Sequence, residues 1–198
     1  MLEVTDYGAR SNGTNRRTVS KLTRYSNQPK VSRLLYNICR KSQPATILEL
    51  GTSLGISTLS MAAAAPKASI VTIEGCSEIG KRAIENFRKL GTTGISLVAG
   101  DINRVLPQVL AKMSSLDLLF IDANHRYQPT MDYFRQCSGW FTPQSMVVID
   151  DIYWSPEMTR AWCEIKELQE VEMTVDLFHT GVVLFRKGLG RRHYLLNL

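Results

Sequence analysis

The chain has 198 residues, 44% hydrophobic and 21% charged, which suits one globular domain with a sizeable core. No apolar run reaches transmembrane length, and the polar, basic opening predicts no secretory leader. The net charge of +6 belongs to the first 42 residues, where nine Lys and Arg face only Glu3 and Asp6, so a phosphate-bearing, lipid or acidic partner is a question for that arm and not for the body of the chain.

Glu3 to Ala9 reads as a short extended piece followed by a loop. Pro29 opens a helix whose apolar face is Val31, Leu34, Leu35 and Ile38, and Pro44 ends it. Ile47-Leu48-Glu49-Leu50 has the length of a buried strand. The chain then breaks at Gly51 and again at Gly55, and Ile56, Leu59 and Ala63 recur at helical spacing. Ala68–Glu74 is a second strand. Ser77 caps a helix with Ile79, Ala83, Phe87 and Leu90 on one face, and Gly91 stops it. Ile95–Ala99 is the third strand, with a helix around 105–113; Leu116–Ile121 is the fourth, with a helix around 129–137. Ser145–Ile149 is the fifth, and Ser155-Pro156-Glu157 starts a helix that runs to about Gln169. Met173–Phe178 and Gly181–Phe185 form a closing strand pair, and 192–196 adds a short edge. The four cysteines, Cys39, Cys76, Cys137 and Cys163, have neither Cys-x-x-Cys nor zinc spacing and are expected to be reduced thiols in a cytoplasmic protein.

Strands alternating with helices imply a Rossmann-like, mostly parallel sheet of seven strands with helices on both faces. The closing pair has no crossover between its members and must be antiparallel. The chain divides into a basic arm and helix over residues 1–42 and a ligand-binding domain over 43–198.

Strand, glycine turn and helix together open a nucleotide-binding half-sheet. Yet Gly51-Thr52-Ser53-Leu54-Gly55 is neither the three-glycine dinucleotide fingerprint nor a phosphate loop. It is Glu49-x-Gly51-x-x-x-Gly55, with an acid where a pyrophosphate would be repelled. Here the sequence resembles the class I S-adenosylmethionine-dependent methyltransferases, whose first motif reads Glu/Asp-x-Gly-x-x-x-Gly. Their cofactor carries a sulfonium and an ammonium group, which an acidic loop attracts.

Every parallel strand carries an acid at or beside its carboxyl end: Glu49, Glu74, Asp101, Asp122 and the pair Asp150-Asp151. Ligands bind along that edge of such a sheet. The resemblance implies Glu74 on the ribose hydroxyls, Ser57 near the methionine carboxylate, and Asp101 on the adenine amino group. Gly51, Thr52, Ser53, Gly55, Gly75, Ile102 and Asp122 complete the cofactor set. Asp101 equally reads as a helix cap.

Asp122, Asp150 and Asp151 should converge from neighbouring strands, and carboxylates so close repel unless a cation joins them. Mg²⁺ is the natural candidate, as in the metal-dependent catechol-type and sugar O-methyltransferases that this stretch resembles. His125 follows Asp122 by three residues, where catechol-type enzymes have a lysine base; an imidazole is suited to removing a hydroxyl proton near neutral pH. The aromatics Tyr127, Trp140, Tyr153, Trp154 and Trp162 are candidates for an acceptor pocket, although most aromatics are core and only Tyr153 and Trp154 sit next to the Asp150-Asp151 pair.

The leading expectation is O-methylation of a small-molecule hydroxyl, with Asp122 and His125 catalytic and with a homodimer as the assembled form. An RNA-modifying methyltransferase that grips phosphates with the basic arm, a non-catalytic S-adenosylmethionine-binding protein and a nicotinamide-dependent dehydrogenase remain open.

Overall fold

The computed structural model describes residues 2–5, 14–17, 29–186, 188 and 190–196. The expected loop beyond the opening extended piece lies outside the described residues. The piece itself is a strand, β1 (Leu2–Thr5), paired antiparallel with β2 (Thr14–Arg17) in register Leu2↔Arg17.

Helix α1 (Pro29–Ser42) buries Val31, Leu35 and Cys39. These enter the same apolar cluster as Ile47 of β3 (Thr46–Leu50) and Met61 of α2 (Ile56–Ala64). The chain then alternates β4 (Ser69–Glu74), α3 (Ser77–Lys89), β5 (Ile95–Ala99), α4 (Ile102–Leu110), β6 (Leu116–Ile121), α5 (Tyr127–Ser138), β7 (Phe141–Ile149) and α6 (Pro156–Glu167). It closes with β8 (Met173–Asp176), β9 (Gly181–Leu184) and β10 (Arg192–Leu195).

The main sheet has eight strands in the order β10-β8-β9-β7-β6-β3-β4-β5. β3 to β7 run parallel, and β9 runs antiparallel to both β7 and β8. β10 adds an eighth strand, parallel to β8. The expected closing hairpin is therefore present, and β10 is the short edge read at 192–196 beside the seven strands. The strand order reverses about β3, so the crevice between the ends of β3 and β6 is the topological switch point where such sheets bind ligands.

Several local readings differ from the sequence expectation: Ser77 is the first residue of α3, preceded by Cys76 as an N-cap without a side-chain bond, and α4 lies three residues earlier than expected. β7 starts at Phe141 instead of Ser145, because its pairing with β6 shifts register between Leu116 and Leu118. Pro143 sits within that irregular stretch, where a missing N–H costs no ladder bond. Helix α2 buries Thr58, Met61, Ala62 and Ala64, while Ile56 and Leu59 are half-buried and Ala63 is exposed. An alanine-rich helix has a weak apolar contrast, and a polar contact made by Thr58 settles which face turns in.

Candidate functional site

The carboxyl ends of the parallel strands lie in one row. Backbone N–H groups just past each strand donate to the neighbouring strand's last carbonyls: Gly51 to Ile73 (3.0 Å), Gly100 to Glu74 (2.8 Å), Asp122 to Leu50 (2.9 Å) and Asp150 to Ile121 (2.9 Å). Glu74, Asp101, Asp122, Asp150 and Asp151 therefore share a single edge of the sheet.

At the centre of that row the chain leaves β3 through Gly51, whose φ is +100°. A Cβ there would stand 2.1 Å from the Asp122 carbonyl oxygen, so only glycine lets the ends of β3 and β6 close up. Thr52 N–H donates to the Ile73 carbonyl (3.2 Å) and Gly55 N–H to the Thr52 carbonyl (2.8 Å). The Glu74 carboxylate clasps this turn from the side. One oxygen accepts from Ser53 N–H (2.8 Å) and the other from Cys76 N–H (2.9 Å).

Glu49 points the other way. It is fully buried beneath the turn and accepts hydrogen bonds from Ser57 Oγ (2.5 Å), from Thr58 Oγ1 and from Thr72 Oγ1 (2.6 Å). Thr52 Oγ1 shares a 2.6 Å hydrogen bond with Thr72 Oγ1. The acid expected to meet the cofactor thus ties β3, β4 and the first turn of α2 together, and Ser57 spends its hydroxyl on it. Burial drives the Glu49 carboxyl from its ordinary 4.5 up to about 7, against the pull of its three hydroxyl donors.

On the other side of Gly51, Asp122 and Asp150 are also pushed up to about 7. Desolvation leads in both; Asp151, Glu49 and Glu74 add repulsion at Asp122, and Asp122 and Asp151 add it at Asp150. Asp150 is buried, and its Oδ1 accepts from Thr180 Oγ1 at 2.8 Å. His125 is held in the left-handed region (φ +45°), as are Asn124 (+64°) and Asp151 (+54°). Its Nε2 lies 3.5 Å from Asp122 Oδ1 and 4.0 Å from Asp151 Oδ2, and its ring stands 5.7 Å from that of Trp154.

The three aspartates do not assemble as the expected metal ligands. Among the described residues no three His, Cys, Asp or Glu side chains are grouped to hold an ion. Asp150 is turned to Thr180, and the imidazole lies between the other two.

Asp101 caps α4, accepting from Asn103 N–H at 3.0 Å, and Ile102 behind it is buried. Gly75 is half-buried directly after Glu74. Of the expected aromatic wall, only Tyr153 and Trp154 are exposed beside the acid row. Trp162 is core and donates to Asp176 Oδ2 (3.0 Å), Trp140 donates to the Met113 carbonyl (3.1 Å), and the Tyr127 hydroxyl meets Glu164 on α6. Sequence reasoning missed Thr58, Thr72 and Thr180. Thr72 had a signal, since a hydroxyl inside the buried run Ile70–Ile73 needs a partner.

A family model described as a methyltransferase domain matches residues 48–152. The chain is similar to a catechol O-methyltransferase of Niastella koreensis, 33% identical over 129 residues, covering 64% of this chain and 56% of that protein. It is also similar to the catechol O-methyltransferase of Bos taurus, 29% identical over 130 residues, covering 62% of this chain and 47% of that protein. The chain thus spans about half the length of the curated relatives it matches. In fold it resembles the O-methyltransferase TomG of Streptomyces achromogenes in complex with SAM, at TM-score 0.70 and 20% identity over 86% of this chain and 91% of that one. The O-methyltransferase of Bacillus cereus in complex with SAH has TM-score 0.70 and 19% identity over 84% and 88% of the two chains.

Proposed function

Because the chain belongs to the methyltransferase-domain family, whose model spans residues 48–152, we propose that it transfers a methyl group from S-adenosylmethionine to a hydroxyl of a small-molecule acceptor. The observation that carries this reading is the row of carboxylates flanking the Gly51 turn at the switch point of the sheet. Asp122 and Glu74 stand on either side of a turn that lets a ligand approach the main chain, and Asp122 is pushed up to about 7 by burial first and by the repulsion of Asp151, Glu49 and Glu74 second. A positively charged ligand relieves that repulsion; a pyrophosphate would add to it. The names of the relatives and the SAM and SAH in the two fold neighbours support the same donor and reaction.

In this reading Gly51, Thr52, Ser53, Gly55, Gly75 and Ile102 form the cofactor cradle, with Ser57 at the start of α2. Glu74 accepts from ribose hydroxyls, Asp101 meets the adenine and Asp122 the ammonium group. Glu49 serves from beneath, by fixing the turn. S-adenosylmethionine supplies a methyl group whose carbon–sulfur bond breaks, leaving the electron pair on sulfur, as the acceptor oxygen bonds the methyl carbon. His125 takes the proton from that oxygen and passes it to water, and Asp122 orients the imidazole. Tyr153 and Trp154 border the acceptor.

The residues do not fit Mg²⁺ as they stand, since Asp150 is bonded to Thr180 and the imidazole lies between Asp122 and Asp151. No step here uses the ion. Among the described residues no helix is long and apolar enough to cross a membrane. To this we add the division into an arm over 1–42 and a catalytic domain over 43–198, a cytoplasmic setting and a homodimer. The nine cations of the first 42 residues favour one second reading, in which the arm grips RNA.

The test is transfer of a labelled methyl group to a panel of catechols, other phenols and sugars. His125→Ala should lower kcat by about 10²–10⁴-fold with cofactor affinity unchanged. Cofactor binding without transfer to any acceptor, and with no effect of His125→Ala, would make the protein a binding module instead; transfer that His125→Ala leaves unimpaired would remove His125 as the base.

A further inference from the structure

We infer that His125 takes the place of a divalent ion at this acid row, so that the chain's own imidazole joins Asp122 to Asp151 and the proton transfer runs without a metal. The inference rests on the functional reading above but depends on separate geometry. Two carboxylates that face each other across a site need something between them that donates or carries positive charge. Here Nε2 of His125 fills that position, 3.5 Å from one carboxylate and 4.0 Å from the other.

Three features hold it there. The left-handed backbone of Asn124 and His125 turns the side chain back over the end of β6. The Trp154 ring stands 5.7 Å from the imidazole, tilted 44° to it. Asp151, itself left-handed at φ +54°, brings Oδ2 to 4.0 Å from the same Nε2 that Asp122 approaches. The third acid that an ion would need is committed elsewhere, because Asp150 is buried and accepts from Thr180 Oγ1. Mg²⁺ demands near-ideal octahedral geometry and gains most from several oxygens in one place. A ring between two of the carboxylates and a hydroxyl on the third deny it that arrangement.

The consequence for catalysis is local. With Nε2 facing the carboxylates, Nδ1 is the nitrogen left to accept the acceptor's hydroxyl proton. The O–H bond breaks, its electron pair stays on oxygen for the attack on the methyl carbon, and the proton rests on the imidazole until water removes it. The two carboxylates steady the ring while it carries that proton, the task an aspartate performs beside a catalytic histidine.

The experiment measures Mn²⁺ binding by electron paramagnetic resonance, with S-adenosylmethionine affinity measured calorimetrically on the same samples. The full chain is compared with His125→Gly, which suits φ +45°. Asp151→Asn is then added to that variant. Wild type should bind no stoichiometric Mn²⁺. His125→Gly should bind one ion at least about tenfold tighter, and Asp151→Asn should abolish that gain. If His125→Gly loses its cooperative melt, His125→Asn, which also tolerates a left-handed backbone, replaces it with the same expectation. Stoichiometric Mn²⁺ on wild type, or no tighter binding after the histidine is removed, overturns the inference. Failure of the functional reading looks different: wild type would not bind S-adenosylmethionine, whatever Mn²⁺ does.

Discussion

Glu49 gives the sharpest stability prediction. It is fully buried, and its carboxyl is driven from 4.5 to about 7 chiefly by desolvation. The folded protein therefore keeps a proton that the unfolded chain releases at lower pH. Stability from this residue is whole below pH 4.5 and falls as pH rises toward about 7. At about 1.4 kcal/mol for each pH unit of that window, the loss is about 3 kcal/mol by neutral pH. Glu49→Gln keeps the shape and removes the titration. The hydroxyls of Ser57, Thr58 and Thr72 can each accept as well as donate, so the amide finds partners. Urea unfolding of both proteins between pH 5 and 8 is the assay. Asp122 and Asp150 also sit near 7 and add the same sign of slope to both proteins; the difference between them reports Glu49 together with the smaller repulsion that it exerts on Asp122. The variant should be the more stable at pH 8 by about 1–3 kcal/mol, with the gap closing toward pH 5. Equal pH slopes for the two proteins would refute the reasoning.

Gly51→Ala forces a Cβ to 2.1 Å from the Asp122 carbonyl at a φ of +100°; a loss of about 3 kcal/mol or more in thermal or urea unfolding, with loss of cofactor binding, is expected. Gly181→Ala sets a Cβ 2.6 Å from the Trp162 ring, and about 1–3 kcal/mol of overpacking strain should appear in the same unfolding assay. Thr180→Val leaves the buried Asp150 carboxyl without its 2.8 Å donor, costing about 1–3 kcal/mol near neutral pH. Its cost should shrink in acid, where Asp150 is protonated and needs the donor less.

The strands were legible because their apolar runs are short and end on glycine or an acid, and the carboxylate row followed from that regularity. Which face each side chain would take was less legible. Glu49 lies one residue from the end of β3, and alternation alone does not say whether that position meets the crevice or the layer beneath α2. Thr58 decides it, and in the same act rotates α2 away from the face that Ile56 and Leu59 suggested. The fifth strand was read from Ser145 and not from Phe141 because a register shift has no local sequence mark. Trp140 and Trp162, two of the candidate pocket residues, spend their indole N–H groups on the Met113 carbonyl and on Asp176, which spacing alone does not show. The closeness of His125 to two carboxylates depends on three left-handed residues in separate loops, which spacing does not encode.

Calorimetric titration of S-adenosylmethionine into wild type and Asp122→Asn tests most directly whether the acid row receives a cationic methyl donor. One site with micromolar affinity on wild type, weakened about tenfold or more in the variant, is the predicted result. No saturable binding, equal affinity for both proteins, or a nicotinamide dinucleotide bound in the donor's place would contradict it.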